Sequence, residues 1–161
     1  MNESTNHIIL KPTTVPDLDR LFDIQLDQQG NYLAAFTSKD YDDKEAYLAK
    51  FRRLLLNPTV NNQTIWLDGQ IIGSVAKFMR DGEAEITYWI DRAWWNRGIT
   101  SAALKLFLDL EKTRPVSARV AADNQGSIRV LERNGFRKIG TDRGYAFARQ
   151  AELEEIIFRL E

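Results

Sequence analysis

Two Asp-Gly pairs, Asp68-Gly69 and Asp81-Gly82, restrict what this chain can fold into more than any other feature. A two-residue hairpin turn needs positive φ at both residues, and Asp-Gly is one of the few pairs that adopts it with little strain. The runs around them, 63–67, 70–78 and 84–90, are rich in Ile, Val, Trp, Tyr and Phe. The spacing therefore predicts an antiparallel three-strand meander. Its third member, Ala84-Glu85-Ile86-Thr87-Tyr88-Trp89-Ile90, carries large side chains at odd and even positions alike. That pattern predicts a central strand covered on both faces.

Helical patterns on either side of the meander supply the cover. From Gly98 to about Lys112, Ile99, Ala102, Ala103, Leu106 and Leu110 recur on one stripe. A second helix is expected from Asn124 or Gln125 to Asn134, with Asn134-Gly135 as its left-handed stop. Upstream, Pro12 to Asp17 carries start signals for a helix running to about Gln29. Another spans Lys44 to Leu56 and ends at Asn57-Pro58. The stretch between these two, with Asn31, Tyr32, Phe36 and Tyr41, reads as an aromatic loop. Strands are expected at 7–11 and 115–122, and again at 136–139, 145–148 and 153–160. The fold class is thus α/β (α+β), one domain over residues 1–161, with six to seven of these eight segments in a mixed, mostly antiparallel twisted sheet and helices on both faces.

Composition narrows the chemistry. A chain of 161 residues with 43% hydrophobic and 28% charged residues has the ordinary globular balance and can bury a sizeable core. Cysteine is absent, which removes disulfides, thiolate metal sites and a cysteine nucleophile. With His7 as the only histidine, no spacing suggests a metal site. A net charge of -1 offers no global attraction for nucleic acid. The start, Met-Asn-Glu-Ser-Thr-Asn, lacks a secretory pattern, and no apolar run approaches membrane-spanning length, so a cytoplasmic protein without membrane partners is expected.

The stretch Trp94-Trp95-Asn96-Arg97-Gly98-Ile99-Thr100-Ser101-Ala102 sits between a central strand and the strongest helix. A helix N-terminus leaves its first N–H groups unpaired and carries partial positive charge, which suits a diphosphate. Gly98 permits close approach, Thr100 and Ser101 add hydroxyls, and Arg97 adds charge. A second constellation follows, Asn124-Gln125-Gly126-Ser127-Ile128-Arg129-Val130-Leu131-Glu132-Arg133-Asn134-Gly135-Phe136. Taken together, the two stretches resemble the GNAT superfamily of N-acetyltransferases, in particular the Rim-type enzymes that acetylate ribosomal-protein N-termini. The motifs cover about residues 84–140, and the element order extends the resemblance over nearly the whole chain.

This resemblance implies that the meander's third strand and the strand at 115–122 run parallel and splay into a V. It implies acetyl-coenzyme A as cosubstrate, with pantetheine against the backbone of Trp89, Ile90 and Asp91. The diphosphate would lie on Arg97, Gly98, Ile99, Thr100 and Ser101. Asn124 either binds the pantetheine arm or caps its helix. Ser127 is the implied donor to the departing thiolate. Two loop positions depart from the usual family pattern, Trp95 and Thr100. Leu131 stands where many members carry a tyrosine that protonates the thiolate.

For the base, Glu85 on a covered strand is the leading residue, with Tyr88 and Tyr145 behind it. An α-amine with a pKa near 7.8 is already roughly a tenth neutral at pH 7, whereas a lysine near 10.4 is neutral only about four times in ten thousand. The expected acceptor is therefore a primary amine on a peptide N-terminus or a small molecule, taken up directly in a ternary complex. Tyr32, Phe36 and Tyr41 are expected to wall its side of the site, with aromatic core packing as the alternative. The alternative is an acyl-coenzyme A binding module of the same fold without turnover, which the missing tyrosine permits. A monomer or a homodimer fits equally.

Overall fold

A computed structural model describes residues 7–161. The opening Met-Asn-Glu-Ser-Thr-Asn lies outside the described residues. Among these residues seven strands form one sheet in the order β1-β2-β3-β4-β5-β7-β6. They are β1 (Ile8–Pro12), β2 (Asn61–Leu67), β3 (Gln70–Arg80), β4 (Glu83–Ile90), β5 (Val116–Ala121), β6 (Arg137–Ala146) and β7 (Ala151–Leu160). Both Asp-Gly turns close as expected, with φ of 49° and 78° at Asp68 and Gly69, and 52° and 80° at Asp81 and Gly82.

Among the described residues five α-helices flank the sheet: α1 (Leu18–Gln25), α2 (Gln28–Ala34), α3 (Lys44–Leu56), α4 (Ile99–Leu110) and α5 (Gln125–Arg133). On one face, Ile99, Ala103, Leu104 and Phe107 of α4 and Leu131 of α5 join Val75, Ile86, Val116 and Phe158 in the main core. On the other face, α1 packs against β3 and α3, burying Leu18, Leu21, Phe22 and Ile24. Phe107 and Leu104 of α4 are among the fully buried side chains, and each contributes about 1.5–3 kcal/mol by leaving water.

Two expectations change. The single helix to about Gln29 is two helices, and the segment expected as loop contains α2. Asp27 restarts the chain by accepting from the Gly30 N–H at 2.8 Å, and Asn31 Nδ2 ties the corner by donating to the carbonyls of Gln25 and Asp27. The strands expected at 136–139 and 145–148 are one, β6, because its ladder with β7 continues through Gly140 to Gly144. A register shift between Lys138 and Gly140 absorbs Ile139.

One pairing in the sheet is parallel, β4 with β5, and it holds only Ala84 opposite Val116 and Glu85 opposite Ser117. β4 meanwhile keeps its antiparallel ladder with β3 from Glu83 to Ile90, and β5 keeps its ladder with β7. Beyond Glu85 and Ser117 the two strands therefore diverge, opening a wedge in the middle of the sheet. Among the described residues no helix is long and apolar enough to cross a membrane.

Candidate active site

The wedge belongs to a continuous cleft of about 1750 Å³ that passes between β4 and β5 and reaches the start of α4. Its orientation follows from the ladder. The Asp91 N–H donates to the Ile72 carbonyl at 2.7 Å on the β3 side, so the backbone groups of Ile90 and Tyr88 turn to the opposite side, toward the gap. Of Trp89, Ile90 and Asp91, Ile90 alone presents its backbone there. Its carbonyl is occupied by the Trp95 indole N–H at 2.9 Å, while its N–H lies on the same edge. The Trp89 carbonyl bends so far toward β3 that a Cβ at Gly73 would sit 2.1 Å from it. Glycine at 73 is thus what permits this geometry.

Where β4 ends, Asp91 caps a 3-10 turn, Arg92–Trp94, accepting from the Ala93 N–H at 3.2 Å. Arg20 on α1 pairs with Asp91 at 3.0 Å, and Arg92 pairs with Asp27 at 3.3 Å. These contacts hold the loop before α4 against the α1–α2 corner. Asn96 and Gly98 both take positive φ, 62° and 74°, which folds the loop so that α4 starts facing the cleft. The first helical bond is from the Ala102 N–H to the Gly98 carbonyl at 3.1 Å, so the N–H groups of Ile99, Thr100 and Ser101 precede the ladder. Among the described residues no side chain caps this end, and a Cβ at Gly98 would meet nothing within 4 Å. Ile99 is buried and anchors the turn, and the Arg97 guanidinium stacks over Trp94 at 5.2 Å. Asn134 Nδ2 donates to Ser101 Oγ at 3.2 Å, leaving the Ser101 O–H to donate elsewhere.

Across the wedge, Asn124 caps α5 by accepting from the Ser127 N–H at 3.3 Å. Ser127 Oγ lies 2.6 Å from the Tyr88 hydroxyl. Leu131, one turn further along α5, is buried in the core. On the opposite sheet face Glu85 is nearly enclosed, with 12% of its side chain exposed, between Arg80 at 3.5 Å and Arg119 at 3.6 Å. Burial raises its carboxyl above the usual glutamate value, against the lowering pull of the two guanidiniums. Arg119 also holds Asp142 at 3.1 Å and Glu155 at 3.2 Å.

Phe36 lines the cleft. A tight turn aims it: Ala35 takes φ 66° and ψ −50°, and the Phe36 N–H donates to the Ala34 carbonyl at 2.7 Å, a strained γ-turn. Tyr32 is engaged elsewhere, its ring stacked 4.0 Å from the Arg149 guanidinium. Arg149 in turn holds Asp123 with two bonds of 2.8 and 2.9 Å, so this group ties α2 to the turn before α5.

Residues 7–137 match the family described as Acetyltransferase (GNAT) domain. This chain belongs to the GNAT family. The Probable N-acetyltransferase YjcK of Bacillus subtilis (strain 168) is 37% identical over 84 residues, covering 47% of this chain and 46% of that protein. The matched segment thus spans about half the length of that relative. Among solved structures, Mycobacterium smegmatis RimJ in complex with CoA-disulfide superposes with a TM-score of 0.78 at 22% identity, covering 95% of this chain and 81% of that one. Spermidine N-acetyltransferase from Vibrio cholerae, in complex with CoA and spermine, gives 0.77 at 14% identity, covering 96% and 95%. At these identities the likeness is one of fold.

Within the GNAT frame, three pairings escape a reading of the linear chain, although Tyr88 is itself a candidate base in the sequence. Tyr88 is separated from Ser127 by 39 positions, Arg119 from Glu85 by a strand crossover, and Arg149 from Tyr32 by 117. The signal for Tyr88 was strand parity, since alternation sends Tyr88 and Trp89 to opposite faces.

Proposed function

We propose that this protein is an acetyl-coenzyme A-dependent N-acetyltransferase that acetylates a primary amine directly in a ternary complex. The observation that carries the reading is the wedge between β4 and β5 opening beside an uncapped α4 start. The fit to coenzyme A rests on two features of the chain. Three N–H groups precede the α4 ladder at a glycine whose Cβ position is open space, and the Ile90 N–H faces the gap beside them. Arg97, Gly98, Ile99, Thr100 and Ser101 receive the diphosphate, and α4's partial positive charge favours it. Ile90, flanked by Trp89 and Asp91, together with Asn124, lines the path of the pantetheine arm.

Bound acetyl-coenzyme A supplies an acetyl group activated as a thioester. The chain's residues position it and manage protons. Holding acceptor and thioester in one groove removes most of the entropic barrier to their meeting. The Ile90 N–H is placed to polarise a carbonyl, and Ser127 donates to the departing sulfur. Glu85, its pKa raised by burial, takes the amine proton directly or through water. Phe36 bounds the acceptor side at the cleft wall, whereas Tyr32 stacks on Arg149 outside that wall.

The acceptor is a peptide N-terminus or a small-molecule amine. A Rim-type assignment draws on the sequence motifs and on neighbours such as RimJ and the ribosomal-protein-S5-alanine acetyltransferase of Vibrio fischeri, with spermidine enzymes similar to the same degree. A cytoplasmic location agrees with acetyl-coenzyme A use. The test is thiol release from acetyl-coenzyme A against N-terminal peptides, polyamines and other small amines. Turnover with one class identifies the acceptor. Binding of the cofactor without release for any amine refutes turnover and leaves a binding module.

A further inference from the structure

Tyr88 reaches across the wedge from β4 to the first turn of α5. Its Oη lies 2.6 Å from Ser127 Oγ and 3.4 Å from the Ser127 carbonyl. The bond spans the gap beyond the last ladder pair of β4 with β5, Glu85 and Ser117. Burial pushes the phenol up to about 12, against the lowering effect of the Ser127 bond. Both hydroxyls keep their protons at neutral pH, so the 2.6 Å contact can run in either sense. With Tyr88 as the donor, Ser127 Oγ accepts and the serine's own O–H is left to point elsewhere. The Ser127 N–H is already committed to Asn124 Oδ1, and Leu131, one turn on, offers no polar atom. The Tyr88–Ser127 pair is thus a two-hydroxyl chain whose free end is one O–H at the cleft.

We propose that Tyr88 is the positioning residue and proton relay behind Ser127, fixing the serine O–H on the sulfur of departing coenzyme A. The inference rests on the acetyltransferase reading. As the carbon–nitrogen bond forms and the carbon–sulfur bond breaks, the amine surrenders one proton to Glu85 or water. The sulfur gains one from Ser127, Ser127 is replenished from the Tyr88 phenol, and solvent returns that proton to the phenol. Charged neighbours are Glu85 on β4 and Arg119 on β5, both on the opposite sheet face, and Arg129 and Glu132 exposed on α5.

The experiment compares wild type, Tyr88→Phe, Ser127→Ala, the double variant, and a 3-fluorotyrosine replacement that keeps the hydroxyl. The readout besides activity is the pKa of enzyme-bound coenzyme A thiol, read from thiolate absorbance against the desulfo-coenzyme A complex. A hydroxyl aimed at sulfur stabilises thiolate, so Tyr88→Phe should raise that pKa by roughly one unit and fluorotyrosine should restore it. The kcat should fall about tenfold to a hundredfold with KM for acetyl-coenzyme A within about twofold, and the double variant should lose no more than the worse single one. A mere staple between β4 and α5 predicts weaker coenzyme A binding and a lower Tm with the thiol pKa unmoved. That result, or independent losses that multiply, overturns the relay while leaving the enzyme reading intact. A wild type that releases no thiol removes both.

Discussion

Gly73→Ala tests the backbone that shapes the wedge. The added methyl would lie 2.1 Å from the Trp89 carbonyl oxygen and 3.0 Å from Ile90 Cα, both main-chain atoms of β4 that no rotamer change can move. Reaching even the tightest ordinary contact requires the carbonyl to retreat by about 1 Å. Trp89 is pinned from the other side, since its ring packs so closely on α2 that a Cβ at Gly30 would sit 2.8 Å from Cζ2. The substitution belongs at the severe end of overpacking, about 3 kcal/mol. For a domain of this size that is a fall in Tm of roughly 6–12 °C. Gly69→Ala is the control, because nothing lies within 4 Å of its Cβ and only the φ of 78° opposes it, worth about 1 kcal/mol. Thermal unfolding followed by circular dichroism reads both. A Gly73→Ala protein that melts within about 2 °C of wild type and binds coenzyme A equally well would refute the clash with β4.

Three further outcomes are expected. Arg149→Ala should cost about 1–2 kcal/mol in urea unfolding, because Asp123 is more than half exposed and solvent screens the pair. The Arg149 hydrogen bond holds the Asp123 pKa below its usual 3.8, so the pair's contribution is present above that value and the gap should narrow as pH falls through the lowered one. Glu85 runs the other way. Burial raises its folded pKa above 4.5, so its contribution is complete below that value and lost as pH rises through the folded one. Glu85→Gln should accordingly gain stability relative to wild type between about pH 4 and pH 8, and a constant difference would contradict the burial argument. Gly98→Ala should cost about 1 kcal/mol for its φ of 74° and weaken coenzyme A roughly tenfold by calorimetry. Unchanged affinity would place the diphosphate elsewhere.

The elements governed by local chemistry were legible in the chain. Asp-Gly pairs specify their hairpins, and the stripe from Ile99 onward specifies α4, because backbone preference and apolar period agree there. α2 escaped because its sequence, Gln-Gln-Gly-Asn-Tyr-Leu-Ala, is a weak helix former. Gly30 is required by the Trp89 ring, and Asn31 by the turn it closes onto Gln25 and Asp27, so distant needs overrode local propensity. β6 lacks alternation since most of its residues are exposed, and Gly140 and Gly144 interrupt the pattern without interrupting the ladder. In the site, the stretch from Arg97 to Ser101 and the Asn124–Ser127 cap were visible as contiguous motifs. The Tyr88–Ser127 bond and the Arg119 carboxylate cluster were not, because each joins strands and helices that meet only once the sheet has formed.

Isothermal titration of the protein with coenzyme A, beside pantetheine lacking the diphosphate, addresses the α4 start and the wedge together. Saturable one-to-one binding of coenzyme A, lost or severely weakened for pantetheine, is the predicted result. Absence of heat with coenzyme A, or equal affinity for the two ligands, would contradict the assignment of the diphosphate to the N–H groups of Ile99, Thr100 and Ser101.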